Sequence, residues 1–358
     1  MSKIVSIATA VPSYCHKQTD IMEFMQKVYA GTDTDNRKLR YLYGQSGIEQ
    51  RYSVIPDYSR ELYGWKFFPH SEGLEPFPSL EQRMTLYNKQ APLLSVDAIR
   101  NCIADVCSHK DITHLITVSC TGMTAPGLDL QIMELMELDR NIFRTSVNFM
   151  GCYAAIHALK IADALCKSSE GAKVLVVCTE LCTLHFQREA TMDNIASSLL
   201  FGDGAAAVLL SGESLSKGLH LTGFYSEVIP KGKRDMAWEL SSTGFLMTLS
   251  GYVPELIKAD FAAVVHRAFQ QNGKSENDVA HWCIHPGGKR ILQAIEQSMD
   301  LDNDALLPSY NVLREYGNMS SATILFVLKD LLKGGPKGNI FAAAFGPGLT
   351  VETFTASL

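Results

Sequence analysis

The stretch MGCYAAIHALKIADALCKSSEGAKVLVVC, residues 150–178, contains the pattern that decides the fold. An apolar helical pattern is followed by a Gly-containing turn and then by a short run typical of a buried strand. The same order returns 166 residues later in YGNMSSATILFVLKDLLKGGPKGNIFAAA, residues 316–344, which aligns without gaps. Under this shift Cys152 falls on Asn318, and Ser119 falls on His285. The repeat predicts a duplicated α/β unit whose polar strand ends and helix starts meet at a pseudo-twofold axis.

Short runs rich in apolar and β-branched residues recur along the chain and indicate buried strands. The runs are HLITVSC (114–120), AKVLVVCTE (172–180), GAAAVLLS (204–211), HWCIH (281–285), GNIFAAAF (338–345) and LTVETFTA (349–356). Longer helical patterns lie between them, at 79–107, 152–169 and 321–334. This alternation predicts an α/β fold with a mainly parallel sheet. We divide the chain into an N-terminal half, 1–212, and a C-terminal half, 213–358, although no Pro/Gly/Ser-rich linker separates them.

The composition limits the class of partner. The chain is 46% hydrophobic over 358 residues, which can fill a sizeable core, and its formal net charge is −6. No block of five like charges occurs, so a nucleic-acid partner is not expected. Residues 1–15 lack the long apolar core of a signal peptide, and no run of about 18 apolar residues is present. We therefore expect a cytoplasmic protein without an integral membrane segment.

The cysteines do not form a ligand or disulfide pattern. There are nine of them, an odd number, without any CxxC pair, which argues against a disulfide framework and a structural zinc site. Cys178 with Cys182, and His281 with His285, have the number spacing of some ligand pairs, but both pairs lie in strand-like surroundings. We expect no bound metal, and we expect most of the cysteines to be buried and inert.

Cys152 stands behind a glycine at the start of an apolar helical pattern. A helix that begins at this residue directs its free N–H groups and the positive end of its dipole toward the sulfur. Together with an imidazolium, this arrangement lowers the pKa of a thiol below its usual value of about 8.5 and makes the thiolate a nucleophile. The plainer alternative is a packed helix that happens to start with cysteine.

Two residues of the second half favour the catalytic interpretation. His285 ends a strand and is followed by Pro286, Gly287 and Gly288, a backbone that can pass close to a ligand. Asn318 stands at a helix start, where an N-cap is the simpler role. An imidazole donor beside an amide donor forms an oxyanion site, and a nucleophilic cysteine beside both allows acyl transfer.

At these residues the sequence resembles the type III polyketide synthases, the chalcone synthase-like enzymes of the thiolase superfamily. The matching pieces are GCYAAIHALKIA, VLVVCTELCTLHF, LLFGDGAAAVLL, IHPGGKRIL, YGNMSSATILFVL and FGPGLTVETF. The resemblance implies a layered αβαβα thiolase fold from two related halves, and a homodimer. It implies acyl-CoA and malonyl-CoA as substrates, with no further cofactor and no metal.

Carried over by position, the resemblance implies a role for each catalytic residue. Cys152 accepts the starter acyl group from coenzyme A, and His285 is the imidazolium partner of its thiolate. His285 and Asn318 bind the thioester carbonyl of malonyl-CoA during decarboxylation. The resulting enolate extends the chain in repeated Claisen condensations before cyclisation to a pyrone or resorcinol-type product.

The resemblance also implies substrate-binding positions. Phe201 matches an aromatic gate, Met247 stands where plant members carry a second aromatic gate, and the remaining cavity positions are Cys120, His185, Trp238 and Ser320. Trp238, often glycine in the family, is expected to fill much of the cavity, and Cys120 to open a side tunnel toward the dimer interface. Coenzyme A is expected to contact Lys38, Arg40, Gly287 and Gly288. A further lysine of the plant pattern is replaced by Gln45.

Three other classes of protein share part of this pattern. A ketoacyl synthase III-like enzyme performs a single condensation on a related frame. A papain-like hydrolase has a catalytic cysteine, histidine and asparagine in the same chain order as Cys152, His285 and Asn318. Its cysteine, however, lies near the mature N-terminus. A catalytically silent scaffold protein is expected to have lost one of these three residues.

For the substrate of a type III polyketide synthase, we expect an aliphatic acyl-CoA starter with two or three malonyl extensions.

Overall fold

The computed structural model describes residues 2–29, 31–212, 218–302 and 304–357. The strands are β1 Lys3–Ala10, β2 Tyr14–Lys17, β3 Gln50–Ser53, β4 His114–Ser119, β5 Phe143–Asn148, β6 Lys173–Leu181, β7 Asp203–Ser211, β8 Leu219–Val228, β9 Met236–Ser241, β10 Gly244–Leu249, β11 Val279–Ile284, β12 Asn339–Gly346 and β13 Thr350–Ser357. The α-helices are α1 Gln18–Tyr29, α2 Asp33–Gln45, α3 Leu80–Ile103, α4 Leu128–Leu135, α5 Ala154–Ser168, α6 Met192–Leu200, α7 Val253–Asn272, α8 Lys289–Met299, α9 Leu307–Tyr316 and α10 Thr323–Leu332.

The main sheet has nine strands in the order β5-β4-β6-β7-β1-β8-β13-β12-β11. Strands β1 and β8 pair at its centre, where Ile4 lies opposite Leu219. Outward from this pair, β7, β6 and β4 on one side correspond to β13, β12 and β11 on the other. The predicted duplication is therefore confirmed, and β5 is an addition of the N-terminal half.

The expectation of a mainly parallel sheet is wrong. In the described sheet only β4–β5, β4–β6 and β11–β12 pair in parallel. The other neighbours are antiparallel. The link from β12 to β13 shows one physical reason, since three residues, 347–349, are too few for the crossover that parallel strands require. Local patterning located β4, β6, β7, β11, β12 and β13 but carried no information on their direction.

Three hydrophobic cores define the layers. The central core packs helices α5 and α10 between the two halves of the sheet, with Leu159 and Leu328 among residues of both halves. One outer core packs α3 against the N-terminal strands, and Ile99 belongs to it. The other packs α7, including Phe261, against the C-terminal strands. The αβαβα layering of a thiolase fold is thus present.

The helices and strands of the repeat lie close to their predicted positions. Helix α5 occupies 154–168 within the predicted 152–169, and α10 occupies 323–332 within 321–334. Helix α3 starts after the N-cap Ser79, whose side chain forms a capping box with Gln82, and it ends at Ile103 rather than at 107. The sequence analysis did not predict β1, β5 and β8 of the main sheet or the strands of the two small sheets, β2, β3, β9 and β10.

The predicted boundary between the halves lies at 212–213, next to residues 213–217, which are outside the described residues. The two halves share the central core and one sheet, so this boundary stays a prediction. Within the described ranges, each helix falls short of the length or the apolar character that crossing a bilayer requires.

Candidate active site

Cys152 lies in a tight turn between β5 and α5. Gly151 has φ +84°, and a Cβ atom on it would overlap Pro347 Cδ, so only glycine lets the turn close against this proline. The first residue of α5 is Ala154, with Tyr153 as N-cap, so the expectation that the helix begins at Cys152 is wrong. The sulfur therefore stands just before the helix.

The surroundings of the Cys152 sulfur are dry. The Cys152 sulfur lies 3.7 Å from Ser320 Oγ, and hydrogen bonding from the Ser320 hydroxyl and the Asn318 amide favours the thiolate. Burial nevertheless dominates and raises the pKa of the thiol to about 12. This is the opposite of the direction expected for a cysteine activated by a helix terminus, because desolvation of the charge outweighs both hydrogen bonds.

His285 continues from the end of β11 and is 1% exposed. Its backbone N–H donates to the carbonyl of Ala343 at 2.9 Å, which fixes the strand end. Within the described chain neither ring nitrogen has a hydrogen-bond partner, and burial lowers the pKa of the ring to about 3. A neutral imidazole offers one donor and one acceptor, and here both remain available to a substrate.

Asn318 is oriented by its own loop. Its Oδ1 accepts from Ser320 N at 2.8 Å and from Thr323 Oγ1 at 3.3 Å, so the amide NH₂ is left to donate on the Cys152 side. Its backbone N–H donates to Leu200 O at 2.9 Å, and its carbonyl accepts from Gly202 N at 3.0 Å. Asn318 is not an N-cap, since Met319 and Ala322 hold that position for the two helices that follow. Its Oδ1 closes the loop, and the opposite end of the amide is left for a donor role.

The three predicted catalytic side chains meet in one small space, the Cys152 cavity. It has a volume of about 20 Å³. Its lining consists of Cys152, His285 and Asn318 together with Leu200, Phe201, Met236, Met247, Leu249, Gly287, Ile291 and Phe345. One nucleophile and two potential donors thus face a space that holds only one or two water molecules.

Phe201 and Met247 occupy the boundary between cavities. Both line the Cys152 cavity, a second small space lined by Cys120 and Ser320, here termed the inner cavity, and a larger side cavity. Trp238 pairs with Met247 across the β9–β10 hairpin and lines the inner and side cavities. The large Trp238 indole fills the space between the inner cavity and the side cavity.

The remaining cavity positions are held by specific bonds. Trp238 Nε1 donates to Cys120 O at 2.7 Å, and Cys120 Sγ accepts from Gly151 N at 3.0 Å. His185 Nε2 lies 2.7 Å from Thr121 O, and burial lowers the pKa of this ring to about 3. Cys120 is therefore held in the cavity wall by its hydrogen bonds with Trp238 and Gly151. The side tunnel that we expect at Cys120 stays a prediction.

The predicted coenzyme A residues divide into two groups. Gly287 lines the Cys152 cavity, and Gly288 is the N-cap of α8 beside it. Lys38 and Arg40 lie exposed on α2, away from the lining of that cavity. Lys289 is the first residue of α8, and its side chain packs over Gly47, which follows the C-terminal end of α2.

Glu180, at the end of β6, is a site residue that sequence reasoning missed. It is fully buried and accepts hydrogen bonds from Cys120 N and Thr121 Oγ1, both at 2.9 Å, and from Ser321 Oγ. Burial raises the pKa of its carboxyl to about 7. The residue joins two loops near Cys152, the one after β4 and the one before α10. A single carboxylate in the apolar run VLVVCTEL was the available signal.

A two-halved αβαβα frame with a cysteine from one half and a histidine and an asparagine from the other defines a thiolase-like protein. Family models described as chalcone and stilbene synthases match the chain, the N-terminal domain over residues 1–214 and the C-terminal domain over 220–357. The chain belongs to the chalcone and stilbene synthase family.

Solved structures agree with this assignment. The crystal structure of PKS-I from the brown alga Ectocarpus siliculosus has a TM-score of 0.92 and 27% identity, with coverage of 99% of this chain and 98% of that one. The C-terminal type III polyketide synthase domain of Steely1, a type I/III hybrid from Dictyostelium, has a TM-score of 0.91 and 28% identity, with 99% of both chains covered. "Probable polyketide synthase 1" of Dictyostelium discoideum is 29% identical over 98% of this chain, which spans only 11% of that relative's length.

Proposed function

We propose that this protein is a type III polyketide synthase, which loads an acyl group from acyl-CoA on Cys152 and extends it with malonyl-CoA. The observation that carries the proposal is the meeting of Cys152, His285 and Asn318 in one buried cavity. Membership of the family and the two solved relatives support the reaction class.

Loading begins with a proton transfer from the Cys152 thiol to His285. Burial disfavours each charge separately, as the raised and lowered pKa values indicate, but the transfer creates a thiolate and an imidazolium as a neutral pair. The thiolate attacks the carbonyl carbon of the starter thioester. Coenzyme A leaves with the proton returned by His285, and the acyl group remains on sulfur.

Extension uses the donors that loading leaves free. The thioester carbonyl of malonyl-CoA accepts hydrogen bonds from His285 and Asn318, so that charge develops on an oxygen that already faces two donors. Carbon dioxide leaves, and the electron pair of the broken C–C bond forms the enolate. The enolate carbon attacks the acyl-cysteine carbonyl, and the Cys152 thiolate is released for the next cycle.

The finer assignments rest on the family resemblance and on the cavity residues. The starter is an aliphatic acyl-CoA, two or three malonyl units are added, and the product is a pyrone or a resorcinol. Met247 supports an adaptable gate, because its side chain is flexible. Coenzyme A contacts Gly287, Gly288 and the exposed Lys38 and Arg40. The working form is a cytoplasmic homodimer without metal or additional cofactor.

The test is mass spectrometry of the purified protein with malonyl-CoA and acyl-CoAs from acetyl to stearoyl, including benzoyl and coumaroyl, beside a Cys152→Ala control. We expect cyclised polyketides only with the intact cysteine. A single extension supported by an acyl-carrier protein alone, with no product from any CoA thioester, would replace this proposal by a ketoacyl synthase III-like activity.

A further inference from the structure

The side cavity extends from Trp238 and Met247 toward the N-terminal strands β2 and β3. It has a volume of about 40 Å³, twice that of the Cys152 cavity. Its wall combines apolar side chains with polar ones, and the polar ones include Arg51, Ser53, Thr183, Asn194, Ser197 and Ser198. The hydroxyl groups among them already form hydrogen bonds within the protein. Phe201 and Met247 line both cavities and therefore lie at the boundary between the Cys152 cavity and the side cavity.

Arg51 is the charged residue of this wall, and it is 3% exposed. Its Nε donates to Gln18 Oε1 at 2.9 Å, and its Nη1 donates to the carbonyl of Phe201. Its Nη2 has no hydrogen-bond partner within the described chain, and the hydroxyl of the neighbouring Tyr43 bonds to Ser198 Oγ at 2.9 Å. The guanidinium therefore keeps one buried donor unused.

No carboxylate in the described part of the chain forms an ion pair with this guanidinium. Asp203 is near enough to affect it, but the Asp203 oxygens already accept from Val54 N at 2.9 Å and from Thr183 N and Oγ1 at 2.8 and 2.7 Å. A buried cation without a counter-ion and with an unused donor is costly, and a ligand acceptor in the cavity would offset that cost.

We propose that the side cavity binds the keto-bearing end of the growing chain, and that Arg51 Nη2 donates a hydrogen bond to one of its β-carbonyl oxygens. This inference rests on the proposed function and specifies its substrate class. Each condensation leaves a carbonyl on alternate carbons, so a keto-bearing end offers an acceptor to the unused Arg51 donor, whereas an alkyl tail would leave that donor unpaired. The small volume suits a short starter such as acetyl, because the far end of the chain is then a methyl ketone.

Three variants test the proposal with acetyl-CoA and malonyl-CoA. Arg51→Met removes the donor. Ser197→Leu fills the cavity from helix α6 and leaves Arg51 in place. Arg83→Met is the matched control, because Arg83 is also fully buried and also has an unpartnered Nη2, but its other nitrogens donate to Pro78 O and Leu184 O outside the side cavity.

The measurement is the ratio of multiply extended to singly extended products by mass spectrometry, with a thermal melt of each variant. We expect this ratio to fall about tenfold in Arg51→Met and Ser197→Leu, as for the loss of one hydrogen bond to a charged group, and to keep the parent value in Arg83→Met. A folded Ser197→Leu variant with the parent ratio overturns the proposal even if Arg51→Met does not fold. An equal fall in Arg83→Met also overturns it, whereas a parent protein that forms no product at all contradicts the proposed function itself.

Discussion

The two halves of the molecule share one frame and carry different chemistry at equivalent positions. Under the 166-residue shift Cys152 corresponds to Asn318 and Ser119 to His285. The hydroxyl of Ser119 accepts a hydrogen bond from Tyr87 at 2.7 Å, whereas both ring nitrogens of His285 lack a partner among the described residues. The frame determines where side chains meet, and in the pair of Ser119 and His285 the residue that is left without partners is the reactive one.

The halves also differ in the connection between their last two strands. In the N-terminal half, residues 182–202 contain α6 and place His185 and Phe201 against the cavities. In the C-terminal half the corresponding turn, 347–349, has three residues and brings Pro347 against Gly151. The long connection contributes residues to the lining of the substrate cavities, and the short one fixes the position of the nucleophile Cys152.

The largest expected effect separates the roles of the equivalent residues Cys152 and Asn318. Cys152→Ala removes the nucleophile, so neither an acyl-enzyme nor a product should form. Asn318→Ala removes one donor to the enolate oxygen, so we expect the acyl-enzyme to form and condensation to slow by about 100- to 1,000-fold. Intact-protein mass spectrometry and the rate of CO₂ release measure the two steps separately. Complete loss of acylation in Asn318→Ala would mean that the halves do not divide the reaction in this way.

The second prediction concerns the glycines that precede the two equivalent residues. Gly151 and Gly317 have φ of +84° and +66°, and a Cβ on Gly317 would lie 2.7 Å from Arg51 Cδ. We expect Gly151→Ala and Gly317→Ala to lower the free energy of unfolding by about 3 kcal/mol or more, since strain and overlap add. Urea denaturation gives the values.

Gly171→Ala is the control for backbone strain alone. Gly171 has φ +71° and nothing within 4 Å of an added Cβ, so we expect a loss of about 1 kcal/mol. If Gly151→Ala or Gly317→Ala is no more destabilised than this control, the close packing of the two glycines has no energetic role.

The sequence predicted the shared frame better than the differences between the halves. The repeat located α5 and β6, and α10 and β12, to within two residues, because helical and strand patterns are local properties. Strand direction depends on pairing between distant segments. The pKa of the Cys152 thiol is raised where the sequence predicted a lowered value, because desolvation depends on every layer that covers the sulfur. The roles of Glu180 and Arg51 were equally hidden, since their partners come from elements far apart in the chain.

The third prediction uses a position where the halves differ in charge. Glu180 corresponds to Gly346 in the C-terminal half. Because burial raises the pKa of Glu180 from 4.5 to about 7, the folded protein binds this proton more tightly than the unfolded chain. Its stability therefore falls as the pH rises from about 5 to 8, by about 3 kcal/mol relative to Glu180→Gln. Urea denaturation of both proteins at each pH checks this, and parallel pH profiles would contradict the assigned protonation.

The smallest expected effect concerns Trp238, which the C-terminal half places over a cavity of the N-terminal half. Trp238→Ala removes the indole between the inner and side cavities and leaves the Cys120 carbonyl without its donor. The space gained should favour longer starters, so we expect the ratio of kcat/KM for octanoyl-CoA to that for acetyl-CoA to rise about tenfold. Trp282→Ala is the size-matched control, because Trp282 packs on Phe341 in the outer core. An equal rise in both variants would point to general loosening, and no rise in Trp238→Ala would show that the indole does not limit the length of the starter.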